Sequence, residues 1–191
     1  MLLSKLAKIQ SGHHSRGKIE PRDNGSHFIL QAKDVDSYRL TYKADTMIRF
    51  YPDMSRRDSI LKKDDILFMA RGIRNYSVLL GEIPDSTLAA AYFFIVRVSN
   101  KVILPGYLCW YLNQAPVEQY LSRYSGRGVH MPVVRRSALE NIEVPVPTLE
   151  IQKKITEMDA LIRKEQDLLI RLAEKREELI TKACLKMVGK S

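Results

Sequence analysis

Residues 142–155 read IEVPVPTLEIQKKI. In the first half, Ile142, Val144 and Val146 alternate with period two, as in a strand with one buried face. Pro145 lies inside that run and assigns it to a sheet edge, where a missing N–H is harmless. In the second half, Thr148 is placed to cap a helix that starts at Leu149. The stretch therefore divides the chain into a domain over residues 1–148 and a helical segment over residues 149–191.

Downstream of Thr148 there is no proline, and no glycine until Gly189. Apolar residues recur at Ile155, Met158, Ile162, Leu169, Leu172, Leu179 and Ala183, a heptad seam in which Glu165 and Arg176 take two positions. A helix over residues 149–187 is about 58 Å long at 1.5 Å per residue. A domain of 148 residues is only about 30–35 Å across, so it cannot cover such a helix. An exposed Leu/Ile seam needs a partner helix, either a second copy of this chain or another protein; folding back on the chain's own domain is the alternative.

Upstream, the period is that of strands. Residues 27–32, 46–51, 66–70, 77–81 and 89–98 carry β-branched and aromatic residues in short runs. The run 66–70 follows the turn Lys62-Lys63-Asp64-Asp65 and is broken by residues 71–76. After Pro105 the spacing turns helical: Leu108, Tyr111 and Leu112 share one face, and Val117, Tyr120 and Leu121 another. Ser137-Ala138-Leu139-Glu140 reads as a further helical turn. The fold class is α+β, a strand-rich domain followed by one long C-terminal coiled-coil helix.

Charge bounds the partners. The 191 residues hold 31 Lys+Arg against 22 Asp+Glu, a net +9, with a pI near 9.6. Residues 1–148 hold 21 basic against 14 acidic side chains, and residues 149–191 hold 10 against 8. The excess thus sits in the domain, where it favours an anionic partner, nucleic acid first among them. The helix is densely charged but nearly balanced, as a solvated helix face is.

Several chemistries find no support. The sequence has neither a Gly-x-Gly-x-x-Gly loop nor a Walker loop. The histidines His13, His14, His27 and His130 lack metal-ligand spacing, and Cys109 and Cys184 make no disulfide framework, so no metal and no cofactor are expected. The longest apolar run, residues 88–96, is too short to span a bilayer, and the first ten residues carry no signal-like core. A non-enzymatic protein of a reducing cytoplasm is the expectation.

Basic loops are the stronger signal. Residues 71–77 place Arg71, Arg74, Asn75 and Tyr76 at the break in a strand, with Gly72 allowing close backbone approach. Arginine pairs with guanine O6/N7 and asparagine with adenine N6/N7, so this set can read base edges; the alternative is a hairpin with solvated arginines. Residues 123–130 form a second loop with Arg123, Arg127 and His130 among glycines, suited to phosphate or groove contact. An N-terminal loop carries Arg16 and Lys18, and Arg135 and Arg136 are candidate phosphate clamps.

Most of the chain resembles half of a specificity subunit from type I restriction–modification systems. The resemblance runs through Leu61-Lys62-Lys63-Asp64-Asp65-Ile66-Leu67, with Asp64 where the family has glycine, and through Pro105-Gly106-Tyr107-Leu108. It continues through Ser125-Gly126, Leu139-Glu140-Asn141-Ile142, Val144-Pro145-Val146-Pro147 and Leu149-Glu150-Ile151-Gln152-Lys153-Lys154-Ile155.

The resemblance implies a target recognition domain that reads part of a double-stranded DNA site. It also implies a helix that packs antiparallel on a second such helix and docks adenine-specific methyltransferase subunits, with a restriction/translocase subunit as a further partner. Family members carry two recognition domains and two helices in one chain; this sequence has one of each, which suggests a homodimer reading a palindromic bipartite site. In an antiparallel pair centred at about residue 170.5, Glu165 faces the partner's Arg176. The helix length then limits the half-site separation to about 17 base pairs. The alternative is a DNA-binding regulator, or a partial subunit that forms mixed dimers with a full-length one.

Overall fold

Ile66–Met69 is buried along its whole length, and a strand covered on both faces belongs in the middle of a layered domain. A computed structural model of the chain places it there. It describes residues 1–15, 17–52, 60–72, 74–124 and 133–189. In chain order the strands are β1 (Ala7–Ser11), β2 (His27–Leu30), β3 (Val35–Asp36), β4 (Thr41–Tyr42), β5 (Ile48–Phe50), β6 (Ile66–Met69), β7 (Ser77–Leu79), β8 (Thr87–Ala89) and β9 (Phe93–Val98). The helices are α1 (Pro105–Leu112), α2 (Ala115–Ser122), α3 (Arg136–Glu140) and α4 (Leu149–Met187).

The larger sheet has the order β1-β9-β6-β7, antiparallel throughout, so β7 is an edge. A second sheet, β5-β2-β8, pairs β2 parallel to β8 and antiparallel to β5. A core cluster joins the two sheets: Leu67, Met69, Val78, Phe93 and Ile95 from one, Leu30 and Ala89 from the other. The α+β reading of the sequence holds, with the predicted run 89–98 divided into β8 and β9 by a turn at residues 91–92.

The turn before β6 rests on two acidic residues. Asp64 has φ +67°, a left-handed conformation that Asp tolerates better than most side chains and glycine best of all. Asp65 is 1% exposed and receives Arg97 Nε and Nη2, each at 2.6 Å, and the Lys62 N–H at 2.8 Å. Burying that carboxylate is tolerable because its charge and both its oxygens are paired.

The predicted edge strand over 142–146 needs correction. Ile142 and Val144 are buried as the alternation requires, yet the segment makes only a bridge, Leu2↔Glu143. Leu3 N–H donates to Ile142 O, Val144 N–H to Met1 O and the Met1 amino group to Val144 O at 2.8 Å, and there the ladder stops. On the other side Leu3 turns into a short 3-10 helix over Leu3–Lys5, which ends the extended pairing.

Two compact units emerge, Met1–Lys153 and Lys154–Ser191. The first takes in the opening turn of α4 because Gln152 is fully buried. Its Oε1 accepts from Leu104 N–H, and its Nε2 donates to Val102 O and Pro147 O. Thr148 caps the helix as expected, its Oγ1 accepting from Ile151 N–H at 3.4 Å. No helix among the described residues is long and apolar enough to cross a membrane.

Candidate functional site

The loop between β6 and β7 is closed by three elements. Met69 N–H donates to Tyr76 O at 2.8 Å, one rung beyond the named strands. Asn75 Nδ2 donates to Met69 O at 2.8 Å, tying the loop across its base. On the outer side, Ser77 turns its N–H and C=O away from β6, because Val78 is the residue paired in register with Leu67 and Tyr76 and Leu80 make the flanking bonds. Asn113, the C-terminal cap of α1, meets both groups: Oδ1 accepts from Ser77 N–H at 2.8 Å and Nδ2 donates to Ser77 O at 2.9 Å.

The second basic stretch starts where α2 ends, at the exposed Arg123 and Tyr124, and the described chain resumes at Val133. Val133 bridges antiparallel to Arg71, and Val134 N–H donates to Ala70 O at 2.8 Å. The first residue of one loop is therefore paired with the residue that closes the other. A small cavity lined by Arg74, Asn75, Gln114, Glu118 and Leu121 joins the first loop to α2.

Arg71, Arg74, Arg123 and Arg135 are exposed around this junction, free of the burial that would keep them from a ligand. Arg136 is exposed as well, and its Nε donates to Glu140 Oε1 at 2.7 Å on its own helix. Arg16, Arg127 and His130 lie outside the described residues. Lys18 lines a separate cavity with Ser15, Glu20, Arg22, Phe50 and Tyr51, beside the second sheet.

These observations bear on three residues of the first loop. Tyr76 is 5% exposed within the core cluster and its hydroxyl pKa is raised by burial, so it supports the loop from below and offers no surface to a base. Asn75 has an amide donor committed to Met69 O, which leaves it less able to pair with a base by two bonds. Gly72 has φ +154°, a conformation that side-chain-bearing residues rarely adopt, and an added Cβ would lie 3.8 Å from its nearest neighbour in the protein.

Asn113, Gln114 and Glu118 were not among the sequence-predicted residues. Asn113 ends an apolar helix and reads simply as a cap. The polar Gln114 and Glu118 show no pattern until the loop is folded beside them. Nearby, the Tyr120 hydroxyl is pushed up to about 12, by burial first and then by its hydrogen bond with Tyr124. The groups gathered here are guanidiniums, amides and a carboxylate. Their planar arrays of donors and acceptors suit recognition of planar polar edges.

Helix α4 presents a second surface. Met158, Leu161, Ile162, Leu168, Leu169, Leu172, Leu179 and Ile180 are 49–67% exposed, apart from Leu172 at 47%. At 100° per residue they fall in a stripe about 120° wide, which is broader than the a/d seam of a two-stranded coil. Ile155 is half-buried, whereas Arg176 and Ala183 are exposed in the same stripe. Glu165 sits among Leu161, Ile162, Leu168, Leu169 and Leu172. The opposite face is laced by Arg163–Asp159, Arg171–Asp167 and Glu178 with Lys175 and Lys182. Its two lysines hold the Glu178 carboxyl at about 2.

The family model of the type I restriction modification DNA specificity domain matches residues 4–174. A curated relative, the type I restriction enzyme MjaVIII specificity subunit of Methanocaldococcus jannaschii, is 27% identical over 151 residues, 78% of this chain and 33% of that protein. Among solved structures, the HsdS subunit from Thermoanaerobacter tengcongensis aligns with a TM-score of 0.65 at 19% identity, over 98% of this chain and 48% of that one. The type I restriction–modification S subunit from M. genitalium aligns with a TM-score of 0.56 at 14% identity, over 95% and 43%. At these identities the structures show a shared fold. The chain spans a third of the curated relative and under half of each of these two solved chains.

Proposed function

We propose, since the chain belongs to the type I restriction modification DNA specificity family, that it reads a DNA sequence and directs an adenine methyltransferase to it. The chain itself is non-catalytic in this reading and works in the cytoplasm with methyltransferase subunits, and with a restriction subunit where one is present. The observation that carries the proposal is the Arg71↔Val133 bridge, which sets the start of the basic 71–77 stretch beside the residue where the described chain resumes after the basic 123–130 stretch, in the domain holding most of the positive charge. Long-range attraction brings the duplex to such a surface, and guanidinium and amide groups then discriminate base edges.

The apolar stripe of α4 is the proposed seat of a second copy. Antiparallel pairing sets Glu165 opposite the partner's Arg176, whereas parallel pairing juxtaposes like charges. Two identical readers call for two inverted half-sites, a palindrome with an unread gap.

Mapping methylated adenines in host DNA with and without the gene identifies the site. On that site, Arg74→Ala costs about 1–3 kcal/mol of binding and relaxes sequence choice, while Arg127→Ala weakens all sequences evenly. Leu169→Asp with Leu172→Asp gives a monomer by light scattering that no longer supports methylation. An unchanged methylation map without the gene refutes the reading role; a monomeric wild-type chain at micromolar concentration refutes the pairing.

A further inference from the structure

Edge strands expose a row of unpaired backbone groups, and proteins cover them by several devices. At Ser77, on the edge strand β7, a single side chain does so. Asn113 offers Ser77 one acceptor and one donor at 2.8 and 2.9 Å, the pattern a neighbouring strand would offer. The same Nδ2 donates to Cys109 O at 2.9 Å, inside the last turn of α1. The amide is thus fixed in orientation from its own helix before it meets the strand. Ser77 is fully buried, so its two backbone groups lack water as an alternative partner.

Ser77 is also the residue at which the loop carrying Arg71 and Arg74 rejoins the sheet. The other end of that loop is held by Ala70 N–H on Tyr92 O and by Val134 N–H on Ala70 O. Asn75 spans the base between them. Removing the Asn113 amide takes away the tie of this end to α1 and leaves it held by Met69 N–H on Tyr76 O and by Asn75 alone, while the other end keeps all its bonds.

We infer that Asn113 is a positioning residue for sequence discrimination: it locks the exit of the 71–76 loop to α1 and thereby fixes the register in which Arg71 and Arg74 meet base edges. This rests on the assignment of that loop to DNA reading. Base readout depends on placement to within a fraction of an ångström, whereas phosphate attraction tolerates displacement. Loss of the lock should therefore lower discrimination far more than total affinity.

The test uses the full chain and two duplexes, the mapped site and the same duplex with one read base pair exchanged, titrated at fixed salt. Asn113→Ala is expected to reduce the preference for the mapped site by about tenfold, with binding to a scrambled duplex within about twofold of wild type and an unchanged salt slope. Ile103→Val, a core substitution away from the loop, is expected to keep the preference despite a lower Tm. Asn113→Asp keeps the acceptor for Ser77 N–H and loses the donor for Ser77 O, so it should lose discrimination as well.

Retained discrimination in Asn113→Ala, with discrimination lost in Arg74→Ala, overturns the inference and leaves the reading loop standing. Retained discrimination in both variants overturns the assignment of the loop to DNA reading, and the inference with it. If Asn113→Ala does not fold, Asn113→Asp decides. Failure of both to fold, or an equal loss on mapped and scrambled duplexes, makes Asn113 a stability residue and overturns the proposal.

Discussion

Replacing Gln152 by alanine orphans three backbone groups at once: Leu104 N–H, Val102 O and Pro147 O, bonded at 2.8, 2.8 and 2.9 Å to a side chain with no exposed surface. A buried group left without its partner costs about 1–3 kcal/mol. The surroundings of these bonds are only partly buried, so the low end of that range applies to each group and the sum is about 3–4 kcal/mol. Against a typical domain stability of about 5–15 kcal/mol this is a large fraction. With a urea m-value of about 2 kcal/mol/M, the unfolding midpoint should fall by about 2 M.

Trp110, the single tryptophan, lies in α1 and reports the domain by fluorescence, whereas far-ultraviolet circular dichroism is dominated by α4. Gln152→Glu adds a second arm. It keeps the acceptor for Leu104 but turns a carboxylate oxygen toward two carbonyls, so burial and repulsion raise its pKa in the folded state. A raised folded pKa means that stability is best retained below the unfolded glutamate value of about 4.3 and is lost as pH rises through the folded one. A midpoint shift under about 0.5 M for Gln152→Ala, or a pH-independent deficit for Gln152→Glu, refutes the reasoning.

Other substitutions follow from the same geometry. Gly12→Ala puts a Cβ 2.2 Å from Ala90 O, a backbone clash that should destabilise by about 2 kcal/mol or more in thermal unfolding. Asp64→Gly relieves a left-handed φ of +67° and should stabilise by up to about 1 kcal/mol, seen as a raised Tm. The lysines that hold Glu178 at about 2 contribute helix stability that is complete above its unfolded pKa and disappears as pH falls through about 2. Wild-type α4 should therefore keep an ellipticity advantage over Glu178→Gln at pH 5 and lose it near pH 2.

Much of the fold is written in periodic signals. Helix α4 spans Leu149–Met187 as Thr148 and the heptad seam require, because a long uninterrupted pattern leaves the backbone little choice. Strand β6 was equally readable, as a short apolar run after a turn. The pairing of residues 142–146 was not, since burial alternates correctly there while ladder formation depends on a partner about 140 residues away that turns into a 3-10 helix at Leu3. The loop after β6 was found from composition, but the pairing of Arg71 with Val133 was not. The bonds of Gln152 and Asn113 join a side chain to backbone 36 to 50 positions away and leave no periodic trace. Tyr76 was misread because a tyrosine in a polar loop and a tyrosine beneath one look identical in sequence.

The Arg71↔Val133 rung has a consequence for how this surface can diversify. One rung fixes both the point where the chain leaves β6 at Arg71 and the point where the described chain resumes at Val133, so the start of one basic segment is set by the end of the other. Neither can change its starting orientation without imposing the change on the other. A transplant of recognition from one relative to another should therefore move both segments together as one cassette, cut at Ala70, Ser77, Tyr124 and Val134. Exchanging either segment alone should give a chimera whose halves were selected for different rungs.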